Sequence, residues 1–248
     1  MHRSASRLTR VLACAAVPVI LVATGCSSDS GKDSGSGSGG DSGKSKDSAS
    51  APQTPTPKPT PTLEKAAFAK LPDPCKVVTA DTVGDLVPEA KDEDGTASKS
   101  NDLASRATCS WNGLDEDGLK GSSYRWLAVS LARYDSHESL GSGNKRAEEQ
   151  YAKQVEGAKA TAGAKNVKVA DAAGVGNQAT TVTYSVKKGV DFFNQTVVAR
   201  TENVVITLDY NGAAYEGAKA PDAAELLKDA IAAAKESVAA VAAANKTA

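Results

Sequence analysis

Aromatic residues make up only 4% of this 248-residue chain, methionine occurs once and histidine twice. The first 62 positions hold no aromatic residue at all, and positions 27–62 also lack Val, Ile, Leu and Met. A stretch of that composition cannot bury enough apolar surface to offset its ordering entropy, so a folded core is excluded there. No excess of basic charge exists either: 29 Lys and Arg stand against 30 Asp and Glu, for a net charge of −1. That balance lacks the basic footprint of a nucleic-acid binder and the polybasic patch that holds proteins to anionic lipid. The longest apolar run, positions 11–24 (VLACAAVPVILVAT), is too short for a permanent membrane-spanning helix.

What is present at the start is a leader. Arg3, Arg7 and Arg10 precede the apolar run without an acid among them, as in the n- and h-regions of a secretory signal. The run ends in Ala23-Thr24-Gly25-Cys26, small residues directly before a cysteine, after which hydrophobicity stops. This resembles a bacterial lipobox, departing from it at Ala23, where Leu is commoner. It implies acylation of Cys26, cleavage before it, and attachment to the lipid bilayer at the outer face of the cell membrane. Losing the leader's three arginines takes the net charge to −4. Positions 27–50 are Ser/Gly-rich and 52–62 alternate Pro with polar residues, a flexible coil followed by a stiffer polyproline-like spacer. The expected organisation is a signal peptide over 1–25, a lipidated cysteine and tether over 26–62, and one extracytoplasmic domain over 63–248.

Of four cysteines, Cys14 leaves with the leader and Cys26 is taken by lipid, which leaves Cys75 and Cys109. An even pair in an exported domain is expected to form a disulfide. Redox chemistry would want a close C-x-x-C, and zinc would want four ligands where only His137 could assist.

Thr79 is placed to cap a short helix with Val83, Leu86 and Val87 on one face, ended by Pro88. Positions 106–112 and 123–134 alternate as strands, the first presenting Ala107, Cys109 and Trp111, the second Leu127, Val129 and Leu131; 113–122 joins them as a loose hairpin. A helix is predicted over 144–160, a short strand at Val167 and Val169, and three strands over 179–187, 190–200 and 203–211 with hairpin turns between them. Pro221 opens a last helix reaching about Ala244, with Leu227, Ile231, Ala234, Val238 and Val241 as its apolar stripe. The order α-β-β-α-(β)-β-β-β-α predicts an α+β fold, an antiparallel meander sheet with helices packed on one face.

Pro74-Cys75-Lys76-Val77-Val78-Thr79, then Cys109-Ser110-Trp111, then Gly174-Val175-Gly176-Asn177-Gln178-Ala179, in that order behind a lipobox, resemble the landmarks of a family of actinobacterial cell-envelope lipoproteins of unknown function. The resemblance covers about positions 71–244. It implies an address and a paired disulfide, and no activity.

Residues that could carry chemistry are few. The Gly174 motif fits the dinucleotide fingerprint in letters, but strand residues Thr180 to Tyr184 follow where a helix N-terminus would be needed, so its glycines read as turn positions and no cofactor is expected. Asp92-Glu93-Asp94-Gly95 and Asp115-Glu116-Asp117-Gly118 are acidic turns that do not continue as calcium loops, and no metal is expected. His137 reads as a loop histidine, since no G-x-S-x-G elbow accompanies it, and no catalytic residue is assigned. Tyr124, Trp126 and Tyr134 share the strand face opposite Leu127, Val129 and Leu131, which makes a surface for a partner or glycan if solvated, and core if a helix covers it. The expected function is therefore a binding or sensor/adaptor module for an envelope protein, glycan or lipid, without nucleic acid and without catalysis. The alternatives are an envelope hydrolase with an unrecognised acid pair and a lipid or glycolipid carrier with an apolar cavity.

Overall fold

The computed structural model describes residues 63–99 and 102–246, all within the compact unit Lys58–Ala248. The leader, Cys14, Cys26 and the tether lie outside the described residues. The elements are α1 (Ala80–Leu86), β1 (Thr96–Ala97), β2 (Arg106–Glu116), β3 (Ser122–Arg133), α2 (Gly143–Lys159), β4 (Lys165–Asp171), β5 (Gln178–Lys188), β6 (Val190–Thr201), β7 (Val204–Tyr215) and α3 (Ala223–Ala244). No described helix is long and apolar enough to cross a membrane.

The α+β class is as expected, and the strands form a seven-stranded antiparallel sheet in the order β1-β2-β3-β7-β6-β5-β4. The chain does not meander straight through it. β3 pairs along its full length with β7, from Ser122 opposite Tyr215 to Arg133 opposite Val204. The chain therefore leaves β3 mid-sheet and must restart at the far edge, four strand spacings or about 19 Å away. Helix α2, with 17 residues, supplies that reach at about 1.5 Å per residue. The β2–β3 hairpin is also tighter than predicted, because pairing continues through Glu116 opposite Ser122. Gly113, expected in the loop, sits inside β2, where a Cβ would lie 2.2 Å from the Pro88 carbonyl.

Strand alternation gives the sheet two apolar faces, which corrects the expectation of helices on one face only. Leu127, Val129, Leu131, Val197, Ile206 and Leu208 pack with α1 and α3. Across the sheet, Val198 and Val205 pack with Ala147, Tyr151 and Val155 of α2. The buried line of α3 is also rotated from the predicted stripe. Leu226, Ala230, Ala233, Ala234, Ser237 and Val241 face the sheet, while Leu227, Ile231 and Val238 sit half-buried on the flank. Small side chains at the contact let the helix axis approach closely, and the larger ones straddle it.

Cys75 and Cys109 are joined, with Cα atoms 5.1 Å apart, pinning the turn Pro74–Lys76 to β2. The first acidic turn folds over this region: Trp111 Nε1 donates to the Glu93 carbonyl, and Asp94 pairs with Lys76 at 2.8 Å. Gly174 and Gly176 take φ values of 76° and 63°, the turn role expected of them. Asn177 accepts the Glu202 N–H at 2.6 Å and Gln178 accepts from Arg200 Nε at 2.9 Å, so the motif braces the two-residue loop between β6 and β7. In that loop Asn203, fully buried, accepts the Phe68 N–H and donates to the Phe68 and Tyr134 carbonyls. Asn245 does the same for the next residues, accepting from the Ala69 and Lys70 N–H groups and donating to Lys70 O. The backbone of residues 68–70 is thus held by two asparagine side chains.

Candidate ligand-binding cleft

Helix α2 crosses β5, β6 and β7, and its C-terminal half leaves a gap over the sheet. The pairing register places Trp126 opposite Asn211, Asn211 opposite Asn194, and Asn194 opposite Tyr184. One lateral row across four strands therefore reads aromatic, amide, amide, aromatic. At about 4.8 Å per strand the outer two backbones stand about 14 Å apart. In the next row Asp209 faces Thr196, whose hydroxyl donates to Asp209 Oδ1 at 2.6 Å. Gln154, Ala158 and Thr161, on and just beyond α2, form the opposite wall of a cleft of 340 Å³. It continues into an outer recess of 350 Å³ that adds Tyr124, Val186, Lys188 and Phe192. There the rings of Tyr124 and Phe192 meet edge to face at 6.0 Å, and Phe192 meets Tyr215 at 6.5 Å.

The polar atoms of the floor are mostly those of side-chain amides, which offer both acceptor oxygens and N–H donors. Asn211 Oδ1 is buried without a hydrogen-bond partner. One N–H of the Asn194 amide is given to the Phe192 carbonyl at 3.0 Å. Burial pushes the Asp209 carboxyl above its ordinary range, the Thr196 hydrogen bond working the other way. Burial likewise raises the Tyr124 phenol.

Of the residues singled out from sequence, Tyr124 and Trp126 are half-buried and line this cleft. Tyr134 does not join them. It follows the end of β3 on the same face, under the N-terminal turn of α2, 7% exposed, with Arg106 and Arg146 each 5.8 Å from its ring centre. At about 3.4 Å per residue it lies about 27 Å from Trp126, and the helix that covers one end of the face leaves the other open. His137 lies in an exposed turn, with Nδ1 3.0 Å from the Ser139 hydroxyl. Sequence reasoning missed Asn194, Asn211, Asp209 and Thr196, because polar alternates on a strand read as solvent-facing, and it read Tyr184 only as a strand residue.

A second cleft of 360 Å³ opens on the opposite face, where Asp85, Asp115, Asp222, Glu225 and Asp229 surround Arg125. Asp222 caps α3, and the N–H groups of Glu225 and Ala224 hold its carboxyl below the usual range. Burial raises that of Asp229.

Comparison with known proteins gives one family: the model of DUF3558, described as a protein of unknown function, matches residues 21–192, which is more than half of the chain. No curated protein and no solved structure matches. The matched span takes in Cys26, the disulfide, Trp126 and Tyr184, and ends at Phe192, ahead of Asn194, Asp209 and Asn211. The chain belongs to the DUF3558 family.

Proposed function

We propose that this member of the DUF3558 family is a membrane-anchored extracytoplasmic lipoprotein that works as a binding module, with the cleft beside α2 as its ligand site. The observation that carries the binding role is the open row of Trp126, Asn211, Asn194 and Tyr184, two rings flanking two amides with a buried acceptor unsatisfied. Buried polar atoms are rarely left unpaired, and a site that hydrogen-bonds a ligand is one reason to leave them so. The floor is polar, which supports a polar ligand over the acyl chain of a lipid carrier. The anchor rests on the basic leader, the short apolar run and Ala23-Thr24-Gly25-Cys26.

A photo-crosslinking residue in place of the exposed Gln154, introduced into the full chain in intact cells, tests the site. Capture of one envelope component that is lost when Trp126→Ala is added supports the reading; an identical capture pattern in both would sink it. Membrane fractionation of Cys26→Ala tests the anchor, with release from the membrane expected and unchanged fractionation refuting it.

A second reading draws on the acidic cleft. A carboxyl raised by burial in the same cleft as one held ionised is the division of labour of an acid–base hydrolase, with Asp229 as the acid. Release of a chromogenic glycoside by the wild type and its loss in Asp229→Asn would support that reading, and no release by the wild type would remove it.

A further inference from the structure

We propose that the cleft beside α2 binds a neutral saccharide segment, with sugar faces on Trp126 and Tyr184 and ring hydroxyls donating to Asn211, Asn194 and Asp209. This rests on the binding-module reading and names its ligand class. Three features of the site lead there.

The first is hydrogen-bond polarity. Asn211 Oδ1 is buried and unpartnered, one Asn194 N–H is already used, and Asp209 Oδ1 takes the Thr196 hydroxyl, so the floor offers acceptors to whatever enters, with the amide N–H donors of the same side chains beside them. It suits a ligand dense in groups that both donate and accept, which hydroxyls supply. The second is charge. Among the described residues lining the inner cleft, only Asp209 bears a formal charge, and burial moves it toward the neutral form. A phosphate or carboxylate ligand would find no cation there, and desolvating it unpaired is costly. The third is the spacing of the rings. An ammonium group is held by aromatic faces within about 6 Å of a single point. Here Trp126 and Tyr184 stand on strands three spacings apart with two amides between them, which suits successive rings of a chain-like ligand better than a cage around one cation. The outer recess, with Tyr124 and Phe192, prolongs the same track.

The test uses the full chain in detergent micelles and a panel of neutral tetrasaccharides built from glucose, mannose, galactose, arabinose or N-acetylglucosamine, followed by calorimetry. Wild-type tryptophan emission gives a second readout, since Trp111 is buried in the core and Trp126 lines the cleft. At least one saccharide is expected to bind saturably and to perturb the emission. Tyr184→Ala and Asn211→Ala are each expected to weaken it about tenfold, equivalent to about 1.4 kcal/mol. Gln154→Trp, a change at an exposed helix position that fills the cleft mouth without touching its floor, is expected to block binding, and Leu119→Ala, fully exposed and outside the cleft lining, to leave it unchanged. Failure of every saccharide to bind, or binding indifferent to Gln154→Trp, overturns the inference. If tetramethylammonium or a peptide binds in a manner blocked by Gln154→Trp while no saccharide does, the saccharide inference falls and the binding-module reading stands.

Discussion

Replacing Asn203 with Ala removes the support of three backbone groups at once: the Phe68 N–H at 2.7 Å and the Phe68 and Tyr134 carbonyls at 2.9 Å each. Asn203 is fully buried, so water reaches the vacated position poorly while the fold stays closed. At about 1 kcal/mol for each net hydrogen bond, and more for groups left buried and unpaired, the loss is about 3 kcal/mol. If the chain avoids that cost by letting residues 63–70 peel away, it forfeits the packing of Phe68 against the core instead. Urea unfolding should show a midpoint lower by about 1.5 M at unchanged slope, for a slope of about 2 kcal/mol/M. Hydrogen exchange separates the two routes, since peeling exposes the Phe68 amide and a strained closed form keeps it protected. Asn203→Asp should do no better, because it retains the acceptor but loses both donations and buries a charge. A midpoint shift below about 0.3 M with Phe68 still protected would refute the reasoning.

The remaining predictions concern the rest of the frame. Cys75→Ala with Cys109→Ala opens a loop with a sequence separation of 34 and should cost about 3–4 kcal/mol in chemical unfolding; a change under about 1 kcal/mol would mean the unfolded chain is already constrained there. Gly176→Ala puts a Cβ 2.4 Å from the Arg200 carbonyl at a φ of 63° and should destabilise by about 2–3 kcal/mol, read as a drop in thermal midpoint; Gly189→Ala, equally left-handed but with open space around it, should cost less. Asp209 has a folded-state carboxyl raised by burial, so its contribution is most favourable at low pH and declines as pH rises through the folded value. Asp209→Asn keeps the acceptor for Thr196 and does not ionise. Its stability relative to wild type should therefore grow from acid toward neutral pH, and a difference that is flat across that range in urea titrations would show that Asp209 is not desolvated.

Strand alternation carried most of the fold into view. Val204, Ile206, Leu208 and Tyr210 announce β7, Leu127, Val129 and Leu131 announce β3, and Thr79 and Pro221 mark helix starts, because each signal is local. The pairing of β3 with β7 is not local. It depends on α2 carrying the chain over the sheet, and the sequence pattern of β3 is the same whichever strand lies beside it. The second apolar face was hidden for a related reason: Val198 and Val205 are single apolar alternates among polar ones, enough to seat Ala147 and Val155 but too few to mark a buried face. The cleft is the least legible part. Its row takes one residue from each of four strands, spread from Trp126 to Asn211, and no window along the chain contains the set. Only Tyr124 and Trp126, two aromatics on one face of one strand in a chain poor in them, gave a local hint.

The Asn203 clamp and the cleft sit toward opposite ends of the same strand. From Asn203 to Asn211 is about 27 Å along β7. A pull on residue 63 against a ligand held in the cleft would therefore run lengthwise down the middle of the sheet, loading the β3–β7 and β6–β7 ladders in shear, where many hydrogen bonds resist together and none is unzipped alone. In series with that stiff path stand the side-chain amides of Asn203 and Asn245, the Ser136 hydroxyl on the Glu64 carbonyl and the packing of Phe68. Under tension these contacts would yield first, freeing the few residues they hold while the sheet and the cleft keep their shape.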